Sequence, residues 1–395
     1  MKYMVLIIDG ASGWPSVELD GRTSLESAVT PSLDQMARRA TVGMAGTVPE
    51  GMEPSSACAC MSVLGYNPRV FYKGRAAIEA RSLDIDVSAD EQVFRANLVT
   101  LDDGRMQSYA AGHVTSEEAS AIVESLNAEL GGDDRCFFPG VGYRQILKLK
   151  NQPATLEAVC TPPHDIPGQS VADYLPRGGG SDLLREIMTA SEKVLRDHPV
   201  NAARVERGQL PATGVWLFWG CGPLPEMPSF EERYGLKTAI TSGVDLLRGL
   251  GRMQGMDVLD IPGVTDNIDN DYHGQMAGAL AALDDYDLVV VHVEAPDEAA
   301  HSGDAGAKVK AIEDIDREMI SQIRDYKKDK LRVLIMPDHP TPLETRTHAS
   351  EPVPYLIWGS GVRTSGARRF TEAEARGTGV VVNEGHYLMS LVVRG

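Results

Sequence analysis

Three short apolar runs constrain this chain more than any other feature: Tyr3 to Ile8, Leu288 to Val293 and Leu331 to Met336. Each is rich in Val, Ile and Leu and does not alternate with polar residues, the pattern of strands buried on both faces of a parallel sheet. Each also leads to an aspartate: Asp9 at once, Asp338 after one proline, and Asp297 a few residues beyond its strand. Ligands of open α/β sheets bind at the carboxyl ends of the strands, so aspartates at three such ends point to one shared site. Helix signals lie between the runs. Thr30-Pro31-Ser32 reads as an N-cap Thr followed by Pro at the first helical position, opening a helix through Met36 to Arg39. Ala307 to Asp325 is helical by periodicity, and Phe230 to Arg252 reads as helix or strand–helix, ending at Gly251. The expected class is α/β, with a mainly parallel sheet flanked by helices.

The middle of the chain has another texture. From about residue 86 to 200 the apolar runs shorten and turn signals crowd in: Gly131-Gly132-Asp133-Asp134, Pro162-Pro163-His164-Asp165 and Arg177-Gly178-Gly179-Gly180. The aspartate-bearing strands flank this stretch, so a split core of residues 1–85 and 201–395 with an inserted, smaller α+β cap domain at 86–200 is expected. A chain of 395 residues is also long for one small core. The net charge of −18 argues against nucleic acid or an anionic membrane as partner. It leaves room for a small anionic substrate at a locally positive site, and it names no protein partner. No apolar run reaches the roughly 18 residues of a membrane span. MKYMVLIIDG lacks the length and cleavage site of a signal peptide. The five cysteines, Cys58, Cys60, Cys136, Cys160 and Cys221, are few and scattered, as in a reduced, cytoplasmic protein.

Candidate chemistry gathers near the strand ends. Asp297 and His301 share one face if VEAPDEAAH is helical. Asp338-His339 follows a strand directly, and His348 comes soon after in RTHAS. Carboxylate with imidazole suits Zn²⁺ or Mn²⁺, whereas any one of these histidines alone would read as a structural hydrogen-bonding residue. EGMEPSSACACMSVLGY reads as a helix starting at Ser55 or Ser56, with Gly65 just past its end. A serine there is either a plain N-cap or a nucleophile placed where the helix dipole favours an alkoxide and a phosphate. Ala57, Cys58, Ala59 and Cys60 read as small residues packing against the sheet.

These segments carry a resemblance. IIDG at 7–10, TVPEGMEPSS at 47–56, LGYNP at 64–68, YKGRAAIEA at 72–80, FRANLVTL at 94–101, PPHDI at 162–166, HPVN at 198–201, HVEAPDE at 292–298, PDHPTPL and RTHASEPVP follow one another through nearly the whole chain. In this order they resemble the archaeal-type cofactor-independent phosphoglycerate mutases, a branch of the alkaline phosphatase superfamily that includes proposed homoserine kinases. The resemblance implies an alkaline-phosphatase-like core and two divalent ions, Mn²⁺ foremost, with Zn²⁺, Co²⁺ and Mg²⁺ as alternatives. It implies Asp297, His301 and His348 in one metal position, Asp9, Ser56, Asp338 and His339 in the other, and Ser56 as phospho-acceptor. Four departures stand out: Ala57 for a carboxylate, Cys60 for an amide or imidazole, Lys73 for Thr, and Asp269-Asn270 for Asp-Thr.

Fixed guanidinium groups are natural partners for substrate phosphate and carboxylate. Arg75 and Arg95 stand in family motifs, and Lys237 in YGLK is a further candidate. His113 in AAGHV is a candidate acid/base from the inserted domain, while His164, in a Pro-rich turn, reads as structural. The leading expectation is metal-dependent phosphoryl transfer through a phosphoserine, interconverting 3- and 2-phosphoglycerate without bisphosphoglycerate. The inserted domain would close over the site and exclude water. Phosphotransfer to another small hydroxyl acceptor such as homoserine is the alternative, although no GxxxxGK[ST] nucleotide loop is present. A non-catalytic metal-binding protein is the third.

Overall fold

The computed structural model describes residues 1–394, which form two compact units: 1–72 with 226–394, and Lys73–Pro225. The larger unit is built on an eight-stranded sheet. At its centre Lys2–Ile8 pairs in parallel with Leu288–Val293 on one side and Leu331–Met336 on the other. Thr238–Thr241 extends the sheet in parallel beyond Leu288–Val293, and Val353–Gly359 pairs antiparallel with Leu331–Met336. The sheet is therefore mixed but mainly parallel. Met4, Leu6 and Ile8 pack with Val289, Val291, Val333 and Ile335 over Leu33 and Met36 of the Pro31–Ala37 helix. Val5 and Ile7, pointing the other way, are equally buried, which explains the lack of alternation. The register places Ile8 beside Val293 and Ile7 beside Met336, so Asp9, Glu294 and Asp338 emerge at one end of the sheet.

The helices differ from expectation in instructive ways. Pro31–Ala37 begins where predicted, but Thr30 makes no side-chain cap. The Asp316 carboxylate accepts instead, from the N–H of Ser32 (3.0 Å) and of Leu33 (2.7 Å). The expected helix at 307–325 starts at Ala305 behind an Asp304 N-cap and passes through a π-helical turn, Asp316–Ile320, before finishing as Ser321–Asp325. Phe230 to Arg252 resolves into helix Phe230–Tyr234, strand Thr238–Thr241 and helix Asp245–Met253. Among the described residues no helix is long and apolar enough to cross a membrane.

The smaller unit is an antiparallel sheet with helices. Its long strand Glu91–Asp102 pairs with Arg144–Lys150, Gly214–Cys221 and Arg105–Ser108. Phe94, Ala96 and Leu98 share a core with Ile122 and Leu126 of the Ser116–Leu130 helix and Leu184 and Ile187 of Ser181–Leu195. The unit divides from the larger one at 72/73 and 225/226 rather than at the expected 85/86 and 200/201. Gly214–Cys221 looks like a core strand by its apolar run, yet it pairs with Glu91–Asp102. The Arg75–Ser82 helix packs Ala76, Ala77 and Ala80 against Val93, Ile146 and Cys221. Both segments thus extend the smaller unit at its ends.

The Asp316 cap gives the first prediction. Asp316→Ala should destabilise the protein by about 1–2 kcal/mol, the cost of losing a helix cap, while Thr30→Ala, which removes no cap hydrogen bond, should cost less. Urea midpoints of the two variants test this, and equal losses would refute it.

Candidate active site

Each residue of the cluster is placed by the end of an element. Asp9 follows Lys2–Ile8, its N–H bonded to Val293 O at 2.9 Å. Gly10 comes next at φ +59°, and a Cβ there would lie 2.4 Å from Asp297 Oδ1. Only glycine lets the strand end approach Asp297 so closely. Gly10 N–H (3.3 Å) and His339 N–H (2.9 Å) both donate to Asp338 Oδ1, fixing that carboxylate. Asp297 and His301 lie on the Ala295–Ser302 helix, with His301 Nε2 3.0 Å from Asp297 Oδ2. His348 Nε2 stands 3.0 Å from His301 Nε2 and 3.6 Å from Asp297 Oδ2. Ser55 is the N-cap of the Ser56–Val63 helix, its Oγ accepting from Cys58 N–H at 3.3 Å. Ser56 is therefore the first helical residue, and its Oγ lies 3.2 Å from His339 Nε2. His339 Nε2 is also 3.2 Å from Asp338 Oδ2 and 3.5 Å from Asp9 Oδ1. The structure thus brings together Asp9, Ser56, Asp297, His301, Asp338, His339 and His348.

The electrostatics suit cations. Asp9, Asp297 and Asp338 are buried, and the ion pairs they make are all with histidines. Burial, with the Asp338 and Glu294 charges, pushes the Asp9 carboxyl well above the usual range. Burial also opposes charge on Asp297, but hydrogen bonds from His301 and His348 hold it well below that range. His301 loses some basicity to burial and regains more from Asp297, rising to about 9. Asp9 Oδ1 and Glu294 Oε2 are buried with no hydrogen-bond partner. An orphaned carboxylate oxygen costs several kcal/mol in a dry site, and a cation bound beside it removes that cost. Ligand atoms of Asp297, His339 and His348 lie within 4.8 Å of one another, as do those of Asp9, Asp338 and His339. Carboxylates and imidazoles so grouped fit divalent ions of the Mn²⁺ and Zn²⁺ type.

Similarity to known proteins agrees with this geometry. The family model for 2,3-bisphosphoglycerate-independent phosphoglycerate mutase matches residues 37–201. A Methanothrix thermoacetophila protein of that name is 47% identical over 398 residues, covering 100% of both chains. The chain belongs to the 2,3-bisphosphoglycerate-independent phosphoglycerate mutase family. A solved Pyrococcus horikoshii protein, 28% identical, superposes with a TM-score of 0.83 over 100% of this chain and 96% of its own. The cofactor-independent phosphoglycerate mutase from Thermoplasma acidophilum, 25% identical, gives 0.63 over 100% and 99%.

Other candidates fall elsewhere. Lys237 precedes Thr238–Thr241, whose start lies beside that of Leu288–Val293. It is therefore at the amino end of the sheet, opposite the cluster, exposed and with its Nζ 4.6 Å from the Tyr286 ring. A sequence motif cannot tell which end of a parallel strand a flanking lysine joins. In the smaller unit, Arg95 is buried and spends its guanidinium on Glu79 and on Asn97 Oδ1 (3.0 Å). Arg75 bonds the other Glu79 oxygen through Nε at 2.7 Å and lies 4.4 Å over the Trp219 ring. Its side chain keeps 28% exposure, so Arg75 retains the more accessible guanidinium. His113 sits in the same unit on an exposed turn at φ +55°. His164 packs edge-on against Tyr109, Phe218 and Trp219, the structural role expected of it.

Sequence reading passed over three supports of the cluster. His292 is buried with Nε2 2.8 Å from Asp9 Oδ2 and Nδ1 3.0 Å from Ser242 Oγ. Burial drives its pKa down to about 4, so one nitrogen donates and the other accepts. Ser242 Oγ takes the Val244 N–H at 3.0 Å; its hydroxyl is left to donate to Nδ1, and Nε2–H donates to Asp9. Thr341 Oγ1 donates to Asp297 Oδ1 at 2.5 Å. Lys308, fully buried, donates to the carbonyls of Ser12 (3.0 Å) and Thr341 (2.8 Å). The signal for His292 was available: a lone polar residue in the buried run LVVVHV needs a partner.

Glu79 yields the second prediction. Burial disfavours its charge, but Arg95 and Arg75 outweigh that and hold it at about 2. A depressed carboxyl stabilises the fold above its unfolded pKa of about 4.3 and loses that contribution as pH falls through about 2. Glu79→Gln should cost about 3 kcal/mol at pH 7, with the gap from wild type closing as pH drops from about 4.5 toward 2. Urea unfolding at several pH values tests it; a pH-independent gap would refute the assignment.

Proposed function

We propose that the protein interconverts 3-phosphoglycerate and 2-phosphoglycerate without bisphosphoglycerate, through a phosphoserine at Ser56. The observation that carries this reading is Ser56 Oγ at a helix N-terminus, 3.2 Å from His339 Nε2 in a buried carboxylate–imidazole cluster. End-to-end identity of 47% with a protein named as this mutase supports it. Asp297, His301 and His348 would hold one divalent ion, and Asp9, Ser56, Asp338 and His339 the other, with Mn²⁺ first and Zn²⁺, Co²⁺ or Mg²⁺ as alternatives. When bound, such a pair lowers the pKa of the serine hydroxyl and neutralises charge on the phosphoryl oxygens.

The chain's own residues then divide the work. Ser56 Oγ forms a bond to phosphorus as the bond from phosphorus to the glycerate oxygen breaks. The freed glycerate turns, and its other hydroxyl takes the phosphoryl group back from Ser56. The proton released at Ser56 and the one taken up by the departing oxygen are exchanged back in the second half, so the reaction is a net isomerisation. The first N–H groups of the Ser56 helix have no intrahelical acceptors and favour the phosphoryl oxygens in transfer. His292 and Thr341 hold Asp9 and Asp297 in place. Arg75 pairs with a substrate anion, Glu79 fixes its orientation, and Arg95 secures Glu79.

The test is a direct assay of metal-loaded protein on 3-phosphoglycerate, coupled to enolase, with homoserine plus ATP as the competing reaction. Ser56→Ala should lower mutase turnover about a thousandfold or more while metal content, by elemental analysis, stays near wild type or loses one ion. Full activity in that variant would end the phosphoserine reading, and product only from homoserine would replace the substrate. Chelation should abolish turnover and lower thermal stability. Restored Mn²⁺ at about 100 times its Kd should return about 2.7 kcal/mol per site.

A further inference from the structure

We propose that Cys60 supplies a sulfur ligand to the metal position of Asp9, Asp338 and His339, giving this chain a softer donor set there than the family pattern implies. The inference rests on the reading that this cluster holds a divalent ion. Cys60 lies one turn after Ser56 on the same helix, so the two side chains share a face. Its sulfur is fully buried and 3.4 Å from Asp338 Oδ2. That oxygen is also 3.2 Å from His339 Nε2, which lies 3.2 Å from Ser56 Oγ. Cys60 and Ser56 therefore flank one Asp338–His339 pair. Independently, Cys60 Sγ groups with ligand atoms of Asp9 and His292, all within 4.8 Å of one another. Asp9 is wholly buried there with Oδ1 lacking any hydrogen-bond partner. Ligand atoms bound at about 2.0–2.3 Å around one ion sit roughly 3–4 Å apart, the scale of the contacts in this cluster.

Packing alone does not account for the position. Cys58, on another face, is the cysteine that joins an apolar cluster, with Val48 and Ala59. Cys60 faces carboxylates. On coordination the S–H bond is replaced by sulfur–metal and the proton passes to solvent. Thiolate favours Zn²⁺ and Co²⁺ over Mn²⁺ and Mg²⁺, so the family's metal residues are kept while the preference among metals changes.

The test loads the full-length protein with Co²⁺ and records its absorption. A sulfur-to-cobalt charge-transfer band in the near ultraviolet, beside the visible cobalt bands, is expected. Cys60→Ser should lose the first and keep the second, and its preference for Zn²⁺ over Mn²⁺ should fall about tenfold. X-ray absorption of the Zn²⁺-loaded wild type needs no variant and should include a sulfur shell at about 2.3 Å beside nitrogen and oxygen at about 2.0–2.2 Å. Visible cobalt bands without charge transfer, a charge-transfer band that survives in Cys60→Ser, or a zinc shell of nitrogen and oxygen alone would each overturn the sulfur ligand and leave the metal site standing. Absence of all cobalt bands would overturn both readings.

Discussion

Four carboxylates, those of Asp9, Glu294, Asp297 and Asp338, meet at one end of a dry sheet, and as anions they repel one another unless positive charge joins them. The arrangement around them follows from that constraint. His301 and His348 face Asp297 Oδ2, and His339 faces Asp338 Oδ2. Neutral donors take the oxygens that face away: His292 on Asp9 Oδ2, Thr341 on Asp297 Oδ1, and the backbone N–H groups of Gly10 and His339 on Asp338 Oδ1. Asp9 Oδ1 and Glu294 Oε2 are left without a hydrogen-bond partner. A site that fixes one edge of each carboxylate with neutral donors, and sets imidazoles or an unpartnered oxygen at the other, holds its acidic groups in place for a cation.

The parallel register is what makes this convergence cheap. Strands that run the same way deliver their carboxyl ends to one place, so Asp9, Glu294 and Asp338 arrive together without long loops. That is also why this part was legible in the sequence. Non-alternating apolar runs announce strands buried on both faces, and an aspartate just past such a run marks the site end. Asp297 and His301 were legible by their spacing; the turn-to-helix transition left Ser55 and Ser56 open, and the family resemblance selected Ser56. Lys237 was a candidate by its motif alone, and it stands before its strand and so at the far end. Sequence reading failed for the Pro31 helix, because the acceptor that caps it, Asp316, is 284 residues away from Ser32. Local sequence carries the demand for a cap but not its source. The boundaries of the smaller unit slipped for a related reason: Gly214–Cys221 has the composition of a core strand, and only its antiparallel pairing assigns it to the other sheet.

The two units handle charge by opposite means. In the larger, acids converge and neutral groups orient them. In the smaller, a single buried acid, Glu79, is shared by Arg75 and Arg95, so two cations rest on one anion. That ratio leaves unspent positive charge, and Arg75, stacked over Trp219, is where it reaches solvent. A guanidinium held by a carboxylate on one edge and an indole face on the other keeps little rotamer freedom to lose.

The departures around Ser56 follow the same electrostatics. Every residue of Ser56–Val63 is buried, and Ser56 and Cys60 are the ones that meet the cluster, at His339 and Asp338. A carboxylate at position 57 would bury another anion next to Ser56, and Ala57 brings none. An amide or imidazole at position 60 would offer a neutral donor to Asp338. Cys60 offers a donor that becomes an anionic ligand once a cation is present.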